Sequence, residues 1–354
     1  MSELLNIGIH EGQQLFFDLE QAPNRHMLVL GRSGEGKTTF LQKIAIELAK
    51  QGKTVVLFDL HNIFADEQIF TNYQKDFQRY IKSIEMKRGI SLPLMKRLCL
   101  ESGEAESATD VIEAVSEILS TAVGITGPVQ RTTLTEALEY IFRKNLYSTQ
   151  GIVALENVLT TIGTPVAASV LARLKPLLSR NLFRDGEFEL VPGCINVFRV
   201  GNASLPVQPI IMETLMAYMF RLAVANTFQG QEIFLLLDEF QNLPHGGTAM
   251  LTKMLLEGRK YNLNVVLATQ QAFMAGRKLQ KIVSGCGLKI YFHPDSEQLQ
   301  TIAKEIAPMQ TAKAVLALND LEIGEFIAFG TLAVEGIRRS TATSGTIREE
   351  AIHE

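Results

Sequence analysis

The chain has 354 residues, 46% of them hydrophobic and 20% charged, which is enough for two compact domains or one large decorated one and excludes extensive disorder. Its 34 basic and 38 acidic residues leave a net charge of −4, so no global basic field surrounds the molecule and any nucleic-acid site must be local or built by assembly. Cys99, Cys194 and Cys286 lie far apart, in no metal-ligand or disulfide spacing, and suit a reducing cytosol.

The opening MSELLNIGIHEGQQ has neither the charged nor the apolar region of a secretory signal. Residues 1–24 hold two apolar pieces around His10-Glu11-Gly12, the pattern of a small β-hairpin. Residues 26–30 and 53–58 are apolar runs with the character of buried strands, and 39–51 between them carries a helical period. Strand, glycine-rich turn, helix, strand is a βαβ unit and implies a parallel sheet. Across 62–190 helical periods take over, at 110–122 after the Ser107 and Thr109 caps, 129–147, 153–162 and 165–182. From Cys194 strands return at 195–200, 233–237, 264–268, 289–292 and 325–329, with helices expected at 210–226 and 248–260.

The most apolar long stretch, 209–225, contains Glu213 and Arg221 and falls short of the roughly 20 residues that span a bilayer, so a soluble cytoplasmic protein is expected. The fold class is α/β with a mainly parallel sheet. The expected division is a β element over 1–24, an α/β core from 25–61 and 191–339, a helical insertion over 62–190, and a polar tail over 340–354.

GRSGEGKT at 31–38 fits G-x-x-x-x-G-K-[ST] between the first strand and helix. Glycines there let backbone N–H groups close around phosphates, the lysine reaches the β/γ-phosphates, and the helix dipole adds to both. Gly31, Ser33, Gly34, Glu35, Gly36, Lys37, Thr38 and Thr39 are the expected nucleotide-binding residues, for ATP with Mg²⁺. IFLLLDE at 233–239 is an apolar strand ending in two carboxylates. Asp238 joins Thr38 as a candidate for Mg²⁺, and Glu239 is the candidate general base for the attacking water. In VVLATQQ at 265–271, Gln270 ends the next strand, where a polar residue can sense the γ-phosphate; a plain strand terminus fits it equally.

HMLVLGRSGEGKTT, VVLFDLHN, LLLDEFQNL, EGRKYNLNVVLATQQ and CGLKIYF, in that order, resemble the HerA–FtsK superfamily of P-loop ATPases, closest to its HerA and conjugative-ATPase branch. The likeness runs over about residues 24–335. It implies a RecA-like core and a hexameric ring with nucleotide at subunit interfaces. It also implies a pore for double-stranded DNA or service to a secretion machine. By position in the resembled family, Arg259 is the basic residue that reaches a neighbour's nucleotide; a basic helix terminus suits the same residue. Asp59 and His61 stand where relatives carry an acidic residue near the nucleotide, although a helix cap fits as well. Asp-Glu-Phe-Gln at 238–241 departs from the family's Asp-Glu-Ala-His. On this reading the family's N-terminal barrel is expected to be missing or reduced to about 24 residues, with no membrane anchor expected before the motor.

Weaker features are the glycine-containing loops at 244–248 and 275–281 and the basic residues Arg173, Lys175, Arg180 and Arg184 on one helix. The expected function is an ATP-driven ring motor on duplex DNA. A secretion or assembly ATPase, and a nucleotide-gated scaffold for a nuclease or effector, stand as alternatives.

Overall fold

The computed structural model describes residues 3–60, 64, 73–85, 90–100, 103–178, 183–184, 188–240, 250–270, 283–335, 337–339 and 343–347. The chain opens with the hairpin β1 (Leu4–His10) and β2 (Gln13–Asp18), then β3 (Met27–Leu30), α1 (Lys37–Lys50) and β4 (Thr54–Phe58). The middle holds α2 (Gln74–Tyr80), β5 (Ile81–Ile84), β6 (Ile90–Ser91), α3 (Ala108–Val123), α4 (Pro128–Arg143), α5 (Tyr147–Gln150), α6 (Ala154–Ile162), α7 (Pro165–Leu178) and β7 (Phe183–Arg184). Then follow β8 (Ile195–Phe198), α8 (Gln208–Val224), β9 (Ile233–Leu237), α9 (Met250–Glu257), β10 (Leu263–Thr269) and β11 (Leu288–Tyr291). The last elements are α10 (Ser296–Ile306), α11 (Thr311–Asn319), β12 (Glu325–Gly330), β13 (Leu332–Val334), β14 (Ile337–Arg339) and β15 (Thr343–Thr346).

Among the described residues the main sheet runs β14-β13-β2-β1-β15-β12-β11-β3-β10-β9-β4-β8-β5. From β11 to β5 every pairing is parallel; from β11 to β14 every pairing is antiparallel. Apart from the edge strand β5, the parallel strands are buried on both faces because helices cover both. Met27 and Val29 face one buried cluster with α1, while Leu28 and Leu30 face the other with α3, α4 and α6 to α9. That alternation is the two-residue period of a strand read into two cores.

Local chemistry sets the element ends. Glu11 and Gly12 both have positive φ, the two-residue turn that suits a right-twisted hairpin. Ser107 and Asp110 form a capping box at the start of α3, and Gly124 closes it in the left-handed conformation. Thr109 lies inside α3 rather than capping it.

Several elements depart from the sequence expectation, β5, β15 and α9 among them. β5 falls within the stretch read as helical and forms the sheet edge, beside β8. Its sequence IKSI is too short and too polar to show a strand period. β15 falls within the stretch read as a polar tail, yet it pairs with both β1 and β12. Gly345 makes this possible, since a Cβ there would lie 2.7 Å from the Phe326 ring. The helix expected over 248–260 is α9, followed by a tight turn over Gly258–Tyr261.

Arg221 on α8 anchors the segment before α3. It pairs with Glu106 and donates from Nη1 to the Leu94 carbonyl at 2.7 Å and from Nη2 to the Lys96 carbonyl at 3.0 Å. Glu106 also accepts from Leu98 N at 2.8 Å. Removing one partner of a buried pair strands the other charge. Arg221→Ala is therefore expected to cost about 3–5 kcal/mol of folding stability, read as a lower urea midpoint.

Candidate functional site: a P-loop at the strand ends

The loop after β3 has the geometry that its glycines allow. Gly34 and Gly36 have φ values of 83° and 115°, where side chains are strained. A Cβ on Gly31 would lie 2.6 Å from the Phe292 Cβ, so only glycine lets this strand end pass the neighbouring one. α1 begins at Lys37 with Gly36 as N-cap and no side-chain cap, which leaves its N-terminus suited to an anion. Ser33 and Gly34 are exposed; Thr38 and Thr39 are half-buried in the first turn.

Lys37 is 6% exposed and donates to the Arg32 carbonyl at 2.7 Å. Burial holds its ammonium below the usual lysine range, while Glu239, Asp238, Glu35 and Asp295 oppose that shift. Arg32, unremarked in the sequence, pairs with Asp295 at 3.2 Å, and its N–H donates to the His293 carbonyl. The Glu35 carbonyl accepts from Gly324 N at 3.0 Å, so the antiparallel wing braces the loop.

Asp238 and Glu239 follow β9 directly. The register pairs Leu237 with Leu267 and Thr269 with Leu30, so β9, β10 and β3 deliver both carboxylates, Gln270 and the P-loop to one sheet edge. Asp238 Oδ1 accepts from Glu239 N at 3.0 Å. Glu239 has φ of 51°, which strains a non-glycine residue by about 1–3 kcal/mol. Gln270 Nε2 donates to Glu239 Oε1 at 2.8 Å, so the structure brings these two candidates into contact.

Arg259 is not with them. It sits in the exposed turn before β10, and its Nη1 donates to the Pro23 carbonyl at 2.5 Å. A cavity of about 210 Å³ opens there, lined by Leu19, Glu20, Arg25, Glu232 and Arg259. β10 runs from this turn to Thr269, a span of roughly 20 Å at the usual rise per residue, so Arg259 occupies the edge opposite its own P-loop. Asp59, at the end of β4, is fully buried and paired with Arg199, whose Nη2 donates to the Phe64 carbonyl at 3.0 Å. Arg173 donates to the Gly124 carbonyl at 3.0 Å and so caps α3. His61, Arg180 and the loops 244–248 and 275–281 lie outside the described residues, as does the side chain of Arg184, whose backbone belongs to β7 and not to the helix expected to carry it.

A parallel α/β sheet whose central strand enters G-x-x-x-x-G-K-[ST], beside strands ending in Asp-Glu and Gln, defines a RecA-like P-loop ATPase. Residues 5–185 match the family model of the helicase HerA central domain. The chain belongs to that family, within the HerA–FtsK superfamily. No curated protein sequence matches it. VirB4 of Thermoanaerobacter pseudethanolicus is similar in structure, with a TM-score of 0.72 at 14% identity over 98% of this chain and 96% of that one. The unbound bacterial conjugative coupling protein TrwBΔN70 gives 0.59 at 14% identity over 95% and 88%. TrwB in complex with the GTP analogue GDPNP gives 0.54 at 14% identity over 93% and 87%. At these identities the likeness carries the fold.

One buried group lies just outside the site. Glu213 on α8 is fully buried, and its Oε1 accepts from Met250 N, at the start of α9, at 2.6 Å. Its Oε2 has no hydrogen-bond partner among the described residues. Burial pushes this carboxyl up to about 7. The folded state therefore favours the neutral acid, and stability falls as pH rises from the unfolded value of 4.5 through about 7. Glu213→Gln is expected to melt above wild type at pH 8, with the gap closing at pH 5 in paired thermal scans.

Proposed function

We propose that this chain is the ATP-hydrolysing subunit of a cytoplasmic ring motor, a homohexamer that translocates double-stranded DNA through its pore. The observation that carries the reading is the convergence of the P-loop, Asp238, Glu239 and Gln270 on one sheet edge. Gly31, Ser33, Gly34, Glu35, Gly36, Lys37, Thr38 and Thr39 take the triphosphate. Thr38 and Asp238 would hold Mg²⁺, which would supply positive charge against the phosphates. A hydroxyl and a single carboxylate suit this ion, which keeps waters and substrate phosphates as its other ligands. Glu239 orients and deprotonates the attacking water, Gln270 holds Glu239, and Lys37 balances the β/γ charge. A core of 25–61 and 191–339, joined at its edge by β5, carries this chemistry, with the helices α3 to α7 as an insertion.

Membership in the HerA family supports DNA as cargo. Likeness to VirB4 and a conjugative coupling protein favours the second reading, a type IV assembly or secretion ATPase that moves protein or pilus subunits. A scaffold that binds nucleotide to organise a nuclease or effector would have no use for the strained Glu239. Among the described residues no helix is long and apolar enough to cross a membrane.

ATP turnover with and without linear duplex DNA across a salt series, with mass measured in ATP, separates the readings. DNA-stimulated turnover that falls steeply with salt supports the motor. Turnover indifferent to DNA favours the secretion reading. Lys37→Ala is expected to abolish nucleotide binding, and Glu239→Gln to bind ATP with turnover lost; equal loss of affinity in both would refute the role given to Glu239.

Arg259 is assigned to the neighbouring subunit's nucleotide, because its own P-loop lies at the opposite sheet edge. An arginine supplied across a boundary neutralises charge on the γ-phosphoryl oxygens and raises the rate by on the order of 10³ or more. Arg259→Ala is expected to bind ATP and assemble yet hydrolyse very slowly. Mixed with Lys37→Ala subunits it should regain activity, since a mixed interface pairs an intact P-loop with an intact arginine. A co-assembled mixture without activity would mark Arg259 as a structural turn residue.

A further inference from the structure

The first turn of α10 meets the site at two points. Asp295, its N-cap, pairs with Arg32, whose carbonyl holds Lys37. Three residues later Gln298, 4% exposed, donates from Nε2 to the Gln270 main-chain carbonyl at 2.8 Å. Gln270 in turn donates from its own Nε2 to Glu239 Oε1, also at 2.8 Å. Two hydrogen bonds, joined through Gln270, thus run from a buried helix residue to the carboxylate whose charge acts on the P-loop lysine. Gln298 belongs to none of the sequence motifs.

Three features argue that this chain positions the carboxylate. β10 ends at Thr269, so the Gln270 carbonyl lies beyond the strand and takes its partner from Gln298. The Oε1 of Gln298 is buried without a hydrogen-bond partner among the described residues, so an apolar side chain of the same volume would suit the helix packing better. Glu239 is strained at φ 51°, and a strained residue keeps its place only where neighbours over-determine it. Gln270, held at its main chain by Gln298 and in contact with Glu239 through its side chain, supplies that constraint.

We infer that Gln298 is a positioning residue for ATP hydrolysis: by fixing the Gln270 carbonyl it keeps the Gln270 amide on Glu239 and so fixes how the carboxylate presents itself to water. The inference rests on the hydrolytic reading of Glu239. Because Gln298 acts through Gln270 rather than on the phosphates, its removal lowers kcat and leaves the KM for ATP alone.

The test is steady-state ATP turnover by the full chain, comparing wild type, Gln298→Met, Gln298→Glu, Gln270→Ala and the Gln298→Met/Gln270→Ala double variant, with thermal midpoints alongside. Met keeps the volume without the donor, and an ionised Glu presents only acceptors to the carbonyl. Each Gln298 variant that folds is expected to lose about 10-fold or more in kcat, with KM within twofold of wild type. In the Gln270→Ala background Gln298→Met should cost nothing further, because the residue it acts through is gone. An unchanged kcat, a raised KM, or an equal loss in the Gln270→Ala background would overturn the role of Gln298 while hydrolysis stands. A wild type without turnover, or one no faster than Glu239→Gln, would overturn the hydrolytic reading and the role of Gln298 with it.

Discussion

Three buried parallel strands stop within two residues of one level, and the site depends on where they stop. β3, β9 and β10 are buried throughout, and the first residues beyond each are a glycine loop, two carboxylates and a glutamine. The pairing of Thr269 with Leu30 and of Leu237 with Leu267 puts these endings side by side. Parallel strands in one sheet all point one way, so polar residues that could not be buried within the sheet gather at one edge. A slip of one residue in this register would exchange the faces of every strand side chain between the two cores.

The edge is locally costly, and the costs are grouped. Lys37 is nearly buried, Glu239 holds a left-handed backbone, and Gly31 passes Phe292 at a distance no side chain would tolerate. Such departures persist where surrounding packing over-determines them. The antiparallel wing supplies part of that packing, through Gly324 N on the Glu35 carbonyl and through Ile347, which would lie 3.1 Å from a Cβ on Gly36. α10 supplies another part, through Asp295 and Gln298.

The opposite edge is polar and differently organised. Arg25, Lys53, Glu3 and Glu232 form one network of ion pairs there, and Arg259 reaches the carbonyl of Pro23 beside it. The candidate site on one edge and the exposed Arg259 on the other are two unlike surfaces, as the proposed head-to-tail ring would require.

Much of this was legible in the residues before any fold was known. The spacing of Gly31, Gly36 and Lys37, and the apolar runs ending at Asp238 and Gln270, specify a nucleotide-binding α/β sheet, because a phosphate loop needs those residue types between strand and helix. Local patterns also marked the helices α3, α4, α6 and α8 by their apolar period, with the Ser107 cap agreeing at α3. What the tertiary structure alone decided were contacts between residues distant in sequence and polar segments without a period. β15 reads as tail by composition and becomes a strand because Gly345 fits beneath Phe326. The contact of Gln270 with Glu239 joins residues 31 positions apart, and that of Gln298 with Gln270 spans 28. Periodicity reports which face of an element is buried; which buried face meets which is decided only when the elements pack.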